Sequence, residues 1–184
     1  LTLWHLFSNV KNETILRNIS KEKVERSKKY NYLFVQAILN SQLIKFYVDE
    51  LLYDGTHFYP NHMKSLPIQI TTDVVQQLFL KIIKYIHQLS RLDSISYKLF
   101  FEGLNNAMVY ELYLPEEIKV SGCEVLKHLA NLGEWKDEWS NERKLAVIEK
   151  VYKELSDPKH PVSVAMLKMQ EVPEVKIIEG RDKD

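Results

Sequence analysis

From Tyr30 onward, apolar residues recur three or four positions apart, the spacing of one buried helical face. Leu33, Phe34, Ala37 and Ile38 form one set, and Leu43, Ile44, Tyr47, Val48, Leu51 and Leu52 form a second. Asn40-Ser41 breaks or bends the helix between them. Asp54-Gly55 ends it, because glycine offers a left-handed stop and Pro60 follows. Residues 55–64 then read as a compact loop, and Leu66-Pro67-Ile68 as a short edge strand or extended segment.

Apolar residues at 74, 75, 78, 79, 82, 83, 86, 89 and 92 predict a long amphipathic helix with Thr72 or Asp73 as its cap. Asp93-Ser94 punctuates. Ile95 to Leu114 resumes the pattern with Tyr97, Leu99, Phe100, Leu104, Met108, Val109, Leu112 and Tyr113, and Pro115 with Glu116-Glu117 suits the start of another helix over 115–132. Gly133 stops that one. Glu134 to Ser140 reads as a charged linker with two tryptophans, after which Ser140 caps a helix burying Leu145, Val147, Ile148, Val151, Tyr152 and Leu155. Asp157-Pro158 ends that helix, Pro161 starts a short one through Met169, and Val172 to Ile178 reads as a final extended segment. Residues 1–10 lack a clean period and read as a strand or as a terminus packed by Trp4. The fold class is therefore mainly α, a helical bundle-like fragment of five or six helices. Little β is expected, in short strands near the N-terminus and around 57–68, with a soft boundary near residue 70 that separates 1–70 from 71–184.

Composition narrows this picture only slightly. The 184 residues are 45% hydrophobic and 27% charged, ordinary for a globular protein, and five glycines are few for a sandwich or a phosphate-cradling enzyme. The single cysteine, Cys123, rules out an internal disulfide and fits a reducing, cytoplasmic setting. No apolar run reaches the roughly 18 residues of a membrane span, and LTLWHLF has no basic lead-in for a signal peptide. The chain does not begin with methionine and reads as a fragment. Charge is uneven: residues 11–29 hold seven Lys or Arg against three Glu, an excess of four, while 110–184 hold sixteen acids against twelve bases, a deficit of four. A DNA-facing first part would show this asymmetry, and so would a plain helical surface.

The segment LFVQAILNSQLIKFYV, the Gly-Thr-His-Phe-Tyr-Pro loop and KSLPI together resemble the helical part of target recognition domains. Such domains occur in the TaqI-like C-terminal specificity region of adenine-specific DNA methyltransferases and, more distantly, in type I restriction specificity subunits. Ala37 to Ser41 and Lys64 to Ile68 are its most recognisable pieces. A second block, Ala107 to Ile118 (AMVYELYLPEEI), looks like the tail of large type II restriction-modification methyltransferases. The resemblance covers roughly residues 30–130 and implies double-stranded DNA as partner, with an upstream methyltransferase domain in the same chain. Residues 1–70 would be the end of the target recognition domain and 71–184 a helical extension. In a protein of that kind Lys21, Lys23, Arg26, Lys28 and Lys29 would track the phosphate backbone. Thr56, His57, Tyr59, Asn61, His62 and Lys64 would meet DNA from the loop, although Phe58 and Tyr59 also suit packing. The implied reaction is methyl transfer from S-adenosylmethionine to the amine of a flipped adenine. It needs a glycine-containing cofactor loop and an Asn-Pro-Pro-Tyr motif, and neither is in this chain. No cofactor is therefore assigned here.

Other chemistry is thinly represented. His57 and His62 lack the neighbours of a zinc site. Asp157 with Glu174-Val-Lys176, and Glu117-Ile-Lys119, imitate nuclease spacing by coincidence in a chain of 25 acids. Cys123 and His128, five apart, do not line up on a helix, and the thiol reads as structural. The alternative to DNA recognition is a helical protein-interaction module that uses the apolar stripe of 74–92.

Overall fold

The computed structural model describes residues 22, 25, 27–52, 65–92, 95–130 and 132–181, without the side chain of Leu51. Among them are eight α-helices and no strand: α1 (Tyr32–Leu39), α2 (Gln42–Tyr47), α3 (Asp73–Arg91), α4 (Ile95–Tyr113), α5 (Pro115–Val120), α6 (Asn141–Leu155), α7 (Pro161–Met169) and α8 (Pro173–Ile178). A π-helical turn, Val48–Leu52, continues α2. No described helix is long and apolar enough to cross a membrane.

Short polar side chains set where the helices begin. Asn31, Ser41, Thr72 and Ser140 accept from backbone amides two or three residues on, which answers donors that the first turn of a helix leaves without partners. The break at Asn40-Ser41 arises in this way. Ser41 Oγ donates to Ile38 O at 2.7 Å and accepts from Ile44 N, closing one helix and opening the next.

One core includes Phe34 and Ile38 of α1, Phe79 and Ile82 of α3, Leu104 and Met108 of α4, and Ile148 of α6. Helix α3 packs against both α1 and α4. The first contact is led by the edge-to-face pair Phe34–Phe79 with centroids 5.2 Å apart, the second by Tyr85–Phe101 at 5.3 Å. Each large side chain buried here contributes on the order of 2–3 kcal/mol by leaving water. Tyr152 of α6 stacks on Tyr97 and Phe100 of α4, closing that flank.

The structure departs from the sequence pattern at four places. Leu66 to Ile68 forms no strand: Ile68 N donates to Leu66 O at 3.0 Å, closing a γ-turn at Pro67, while Tyr113 Oη donates to Pro67 O and accepts from Gln69 N, and Tyr30 Oη donates to Ile68 O. Side chains thus take the backbone groups that a ladder would have used. The expected helix over 115–132 stops at Val120, because Gly122 turns the chain into the left-handed region at φ 61°. Only a 3₁₀ turn, Leu126–His128, follows it. Val172 to Ile178 is helical rather than extended, since Pro173 occupies the first turn, where its missing N–H costs nothing. The residues 134–140 are more than a linker, as Trp135 packs on Tyr85 at 5.2 Å and Lys84 pairs with Asp137 at 2.8 Å. These short helices raise the number above five or six. The strand expected in residues 1–10, the loop and stop at 53–64, and Asp93-Ser94 lie outside the described residues.

His87 of α3 meets Gln36 of α1, with nitrogens 2.8 Å apart. Burial first, then the Arg91 charge, lowers the imidazole pKa below its ordinary 6.5. A base whose folded pKa is depressed withholds its contribution as pH falls from the unfolded value. Acidifying from pH 7.5 to 5.5 should therefore reduce the stability of the wild type more than that of His87→Phe. Parallel pH dependence of the two melting temperatures would remove His87 from the account.

Candidate nucleic-acid interface

Of the basic residues singled out above, Lys28 and Lys29 are described and both are exposed. They sit on the turn that leads into α1, where Tyr30 N donates to Ser27 O at 3.2 Å. Lys28 pairs with Glu25 at 2.5 Å, an exposed contact whose expected contribution is at most about 1 kcal/mol. Lys21, Lys23, Arg26, Thr56, His57, Tyr59, Asn61, His62 and Lys64 lie outside the described residues.

Behind the two lysines stands a buried amide. Gln76 of α3 accepts from Asn31 N at 2.9 Å and donates to Lys29 O at 2.9 Å and Thr71 O at 3.3 Å. It is 4% exposed. The basic turn and the start of α3 are thereby tied to one side chain.

The pieces of chain that carry the family resemblance converge on α4. Asn105 Nδ2 donates to Ala37 O at 2.9 Å across 68 residues of sequence, taking up a carbonyl near the break between α1 and α2. The next residue, Asn106, lies nearer solvent, and its Oδ1 accepts from Gln42 N at 3.0 Å. Tyr113 holds Pro67 and Gln69, so the described end of the Lys64–Ile68 closure lies against the second block. Asn105, 3% exposed, leaves its Oδ1 without a partner among the described residues.

Glu111, in the same block, accepts from Val125 N and, at 2.9 Å, from Leu126 N. It closes the 3₁₀ turn that Gly122 introduces. Burial raises its pKa despite those two amide bonds. Cys123 is buried, donates its thiol to Ile118 O at 3.5 Å, and is pushed up by burial and by the neighbouring Glu111. That environment suits a structural thiol rather than a nucleophile.

One groove is unsuited to phosphate. A groove of about 730 Å³ between α2 with its π turn and the end of α8 is lined by Asp49, Glu50 and Glu179 against Lys45. Its charge repels a nucleic-acid backbone. Among the described residues no group of three His, Cys, Asp or Glu is placed to hold a metal. Asp157 caps Lys159 N at 2.8 Å, while Lys176 pairs with Glu171 at 2.7 Å, so those two members of the nuclease-like pattern serve local structure. Gly122, Gly133 and Gly180 lie at three separate turns.

No protein-family model, curated protein or solved structure matches the chain.

Reading the apolar stripe alone passed over Gln76, Gln88 and Asn105, all buried. Their signal was positional. Gln76 stands three and seven residues before Phe79 and Ile83, at the centre of the buried face of α3.

Asn105→Ala should cost about 1–3 kcal/mol in denaturant unfolding, because it strands the Ala37 carbonyl in the core. Unchanged stability would show that the link between the two blocks is dispensable. For Glu111 the folded pKa is raised, so its contribution is present below the ordinary value of 4.5 and lost as pH rises through the folded one. Glu111→Gln, which keeps one acceptor and cannot ionise, should gain melting temperature relative to wild type between pH 4 and pH 7. A constant difference across that range would rule out ionisation as the cause.

Proposed function

We propose that this chain is the DNA target recognition part of a type II restriction-modification enzyme, a site-specific adenine methyltransferase of the cytoplasm. The observation that supports the reading is that α4, which holds the first part of the block Ala107–Ile118, bonds the other two resembling pieces, Asn105 to Ala37 and Tyr113 to Pro67.

In this reading the chain binds or positions double-stranded DNA through its basic first part. Methyl transfer, with S-adenosylmethionine, belongs to an upstream domain of the same protein. Phosphate contacts from lysines provide affinity and register, while base edges are read by side chains carried on the same body.

A protein-interaction module is the competing reading. The stripe of α3 that it would use is taken up in the chain's own core, with Phe79, Ile82, Ile83 and Leu89 buried. A partner would have to use another face, and α4 offers one: Ile95 and Leu99, one turn apart, are 69% and 62% exposed.

The test is binding of a duplex library by fluorescence anisotropy over a range of salt. Affinity should fall linearly on logarithmic axes, and neutralising Lys28 or Lys29 to Gln should each reduce the slope by about 0.9. Binding that ignores salt, or slopes that ignore both substitutions, would end the DNA reading.

A further inference from the structure

The three bonds of Gln76 fall on both sides of a chain junction. Its Oε1 holds the first amide before α1, its Nε2 holds the carbonyl of Lys29, and the same Nε2 reaches Thr71 just before α3. Burying an amide side chain is costly unless its groups are answered, and here the acceptor and the donor both are. An apolar residue of similar size would fill the space and tie nothing. Asparagine, one methylene shorter, would not span the same two strands of backbone.

The carbonyl of Lys29 is thereby fixed while its side chain stays exposed. Asn31, the cap of α1, is fixed by the same group, so neither end of the turn can rotate independently of α3. We infer that Gln76 is a positioning residue for DNA: it holds the Lys28-Lys29 turn against the start of α3, so that the basic edge meets the phosphate backbone in one orientation. This rests on the DNA-binding reading above. It extends that reading by naming a buried residue with no exposure to the ligand that nonetheless sets how the ligand is met.

The mechanism is entropic. A lysine on a loose turn must be ordered when it meets a phosphate, and each ordered residue costs about 1–2 kcal/mol of backbone freedom. On a turn already held at its carbonyl and at the following cap, that ordering is done in the free protein. Loss of the tie should therefore remove the contribution of Lys29 without touching its charge.

The experiment is a double-mutant cycle on duplex binding with the full chain: wild type, Lys29→Gln, Gln76→Met and the double variant, each measured across salt well below its melting temperature. Amide exchange at Asn31 confirms that Gln76→Met has opened the tie. Gln76→Met should flatten the salt slope by about 0.9, as Lys29→Gln does, and the double variant should be no worse than either single one. A merely structural glutamine would lower the melting temperature and leave the slope of the folded protein alone. Wild-type slope and affinity in Gln76→Met, or fully additive losses in the double variant, would overturn the inference and leave the DNA reading standing. A wild type that shows no salt-dependent binding overturns both.

Discussion

A helix buried on most sides must have each of its polar side chains answered by a neighbour, and the second half of α4 is such a helix. Phe101, Leu104, Ala107, Met108, Val109 and Tyr110 are buried round most of its circumference, and the rest is only partly exposed. An unanswered polar group in such a place costs about 1–3 kcal/mol, so the polar residues interspersed there dictate what may pack beside them. Asn105 takes the Ala37 carbonyl, Tyr110 donates to Glu179 at 2.9 Å, Glu111 closes the 3₁₀ turn, and Tyr113 holds Pro67 and Gln69. Four side chains within nine residues reach four separate parts of the chain. Apolar packing alone would tolerate a slide of α4 by one turn; these bonds do not.

Charge follows the same division between inside and outside. The phenol of Tyr85, buried with its hydroxyl on Leu132 O, is pushed up to about 12 by desolvation, and that of Tyr110 is raised further by burial and the Glu179 carboxylate. Both remain donors at any physiological pH. Outside, Lys84, Trp135 and Lys144 converge on Asp137, whose carboxyl is held below the usual range by Lys84 first and the indole second. Lys84 and Lys144 therefore fasten that loop to α3 and to the start of α6. The lysines before α1 are held differently: Lys28 pairs with Glu25 at the surface, and Lys29 is held through its backbone carbonyl.

The helices were legible in the sequence because their signals are local. Thr72 and Ser140 cap where the pattern placed them, Pro161 opens α7, and the Asn40-Ser41 break falls between two apolar sets. What failed was also local in sequence but decided elsewhere. Residues 66–68 have the composition of an edge strand, and whether they pair depends on what lies beside them; two tyrosines, 38 and 46 residues away along the chain, arrived instead. The 115–132 helix failed on one glycine, whose left-handed turn at Gly122 weighed more than the apolar spacing that continued past it. Val74 shows the limit of periodicity from the other side. It starts the apolar stripe yet is 74% exposed, because α1 covers the opposite face, where Gln76 is buried more than half a turn round the helix.

Of the candidate site, the sequence showed the charges but not their support. Lys28 and Lys29 are visible in any reading of basic residues, whereas Gln76 is a polar residue in an apolar stripe and looks like an interruption. Its three bonds reverse that reading: the interruption is the reason the turn has a fixed place. The same holds for Asn105 against the Ala37 carbonyl. Buried amides are weak contributors to stability on balance, since burial cancels most of what their hydrogen bonds gain, but they discriminate sharply between one packing and its neighbours. Under the DNA reading proposed above, that discrimination matters more than stability. A register error of one helical turn, about 5.4 Å, approaches the spacing between successive phosphates and would move every contact at once. In this chain the two buried amides stand where such an error would begin, one at the turn that carries the lysines and one at the break between α1 and α2.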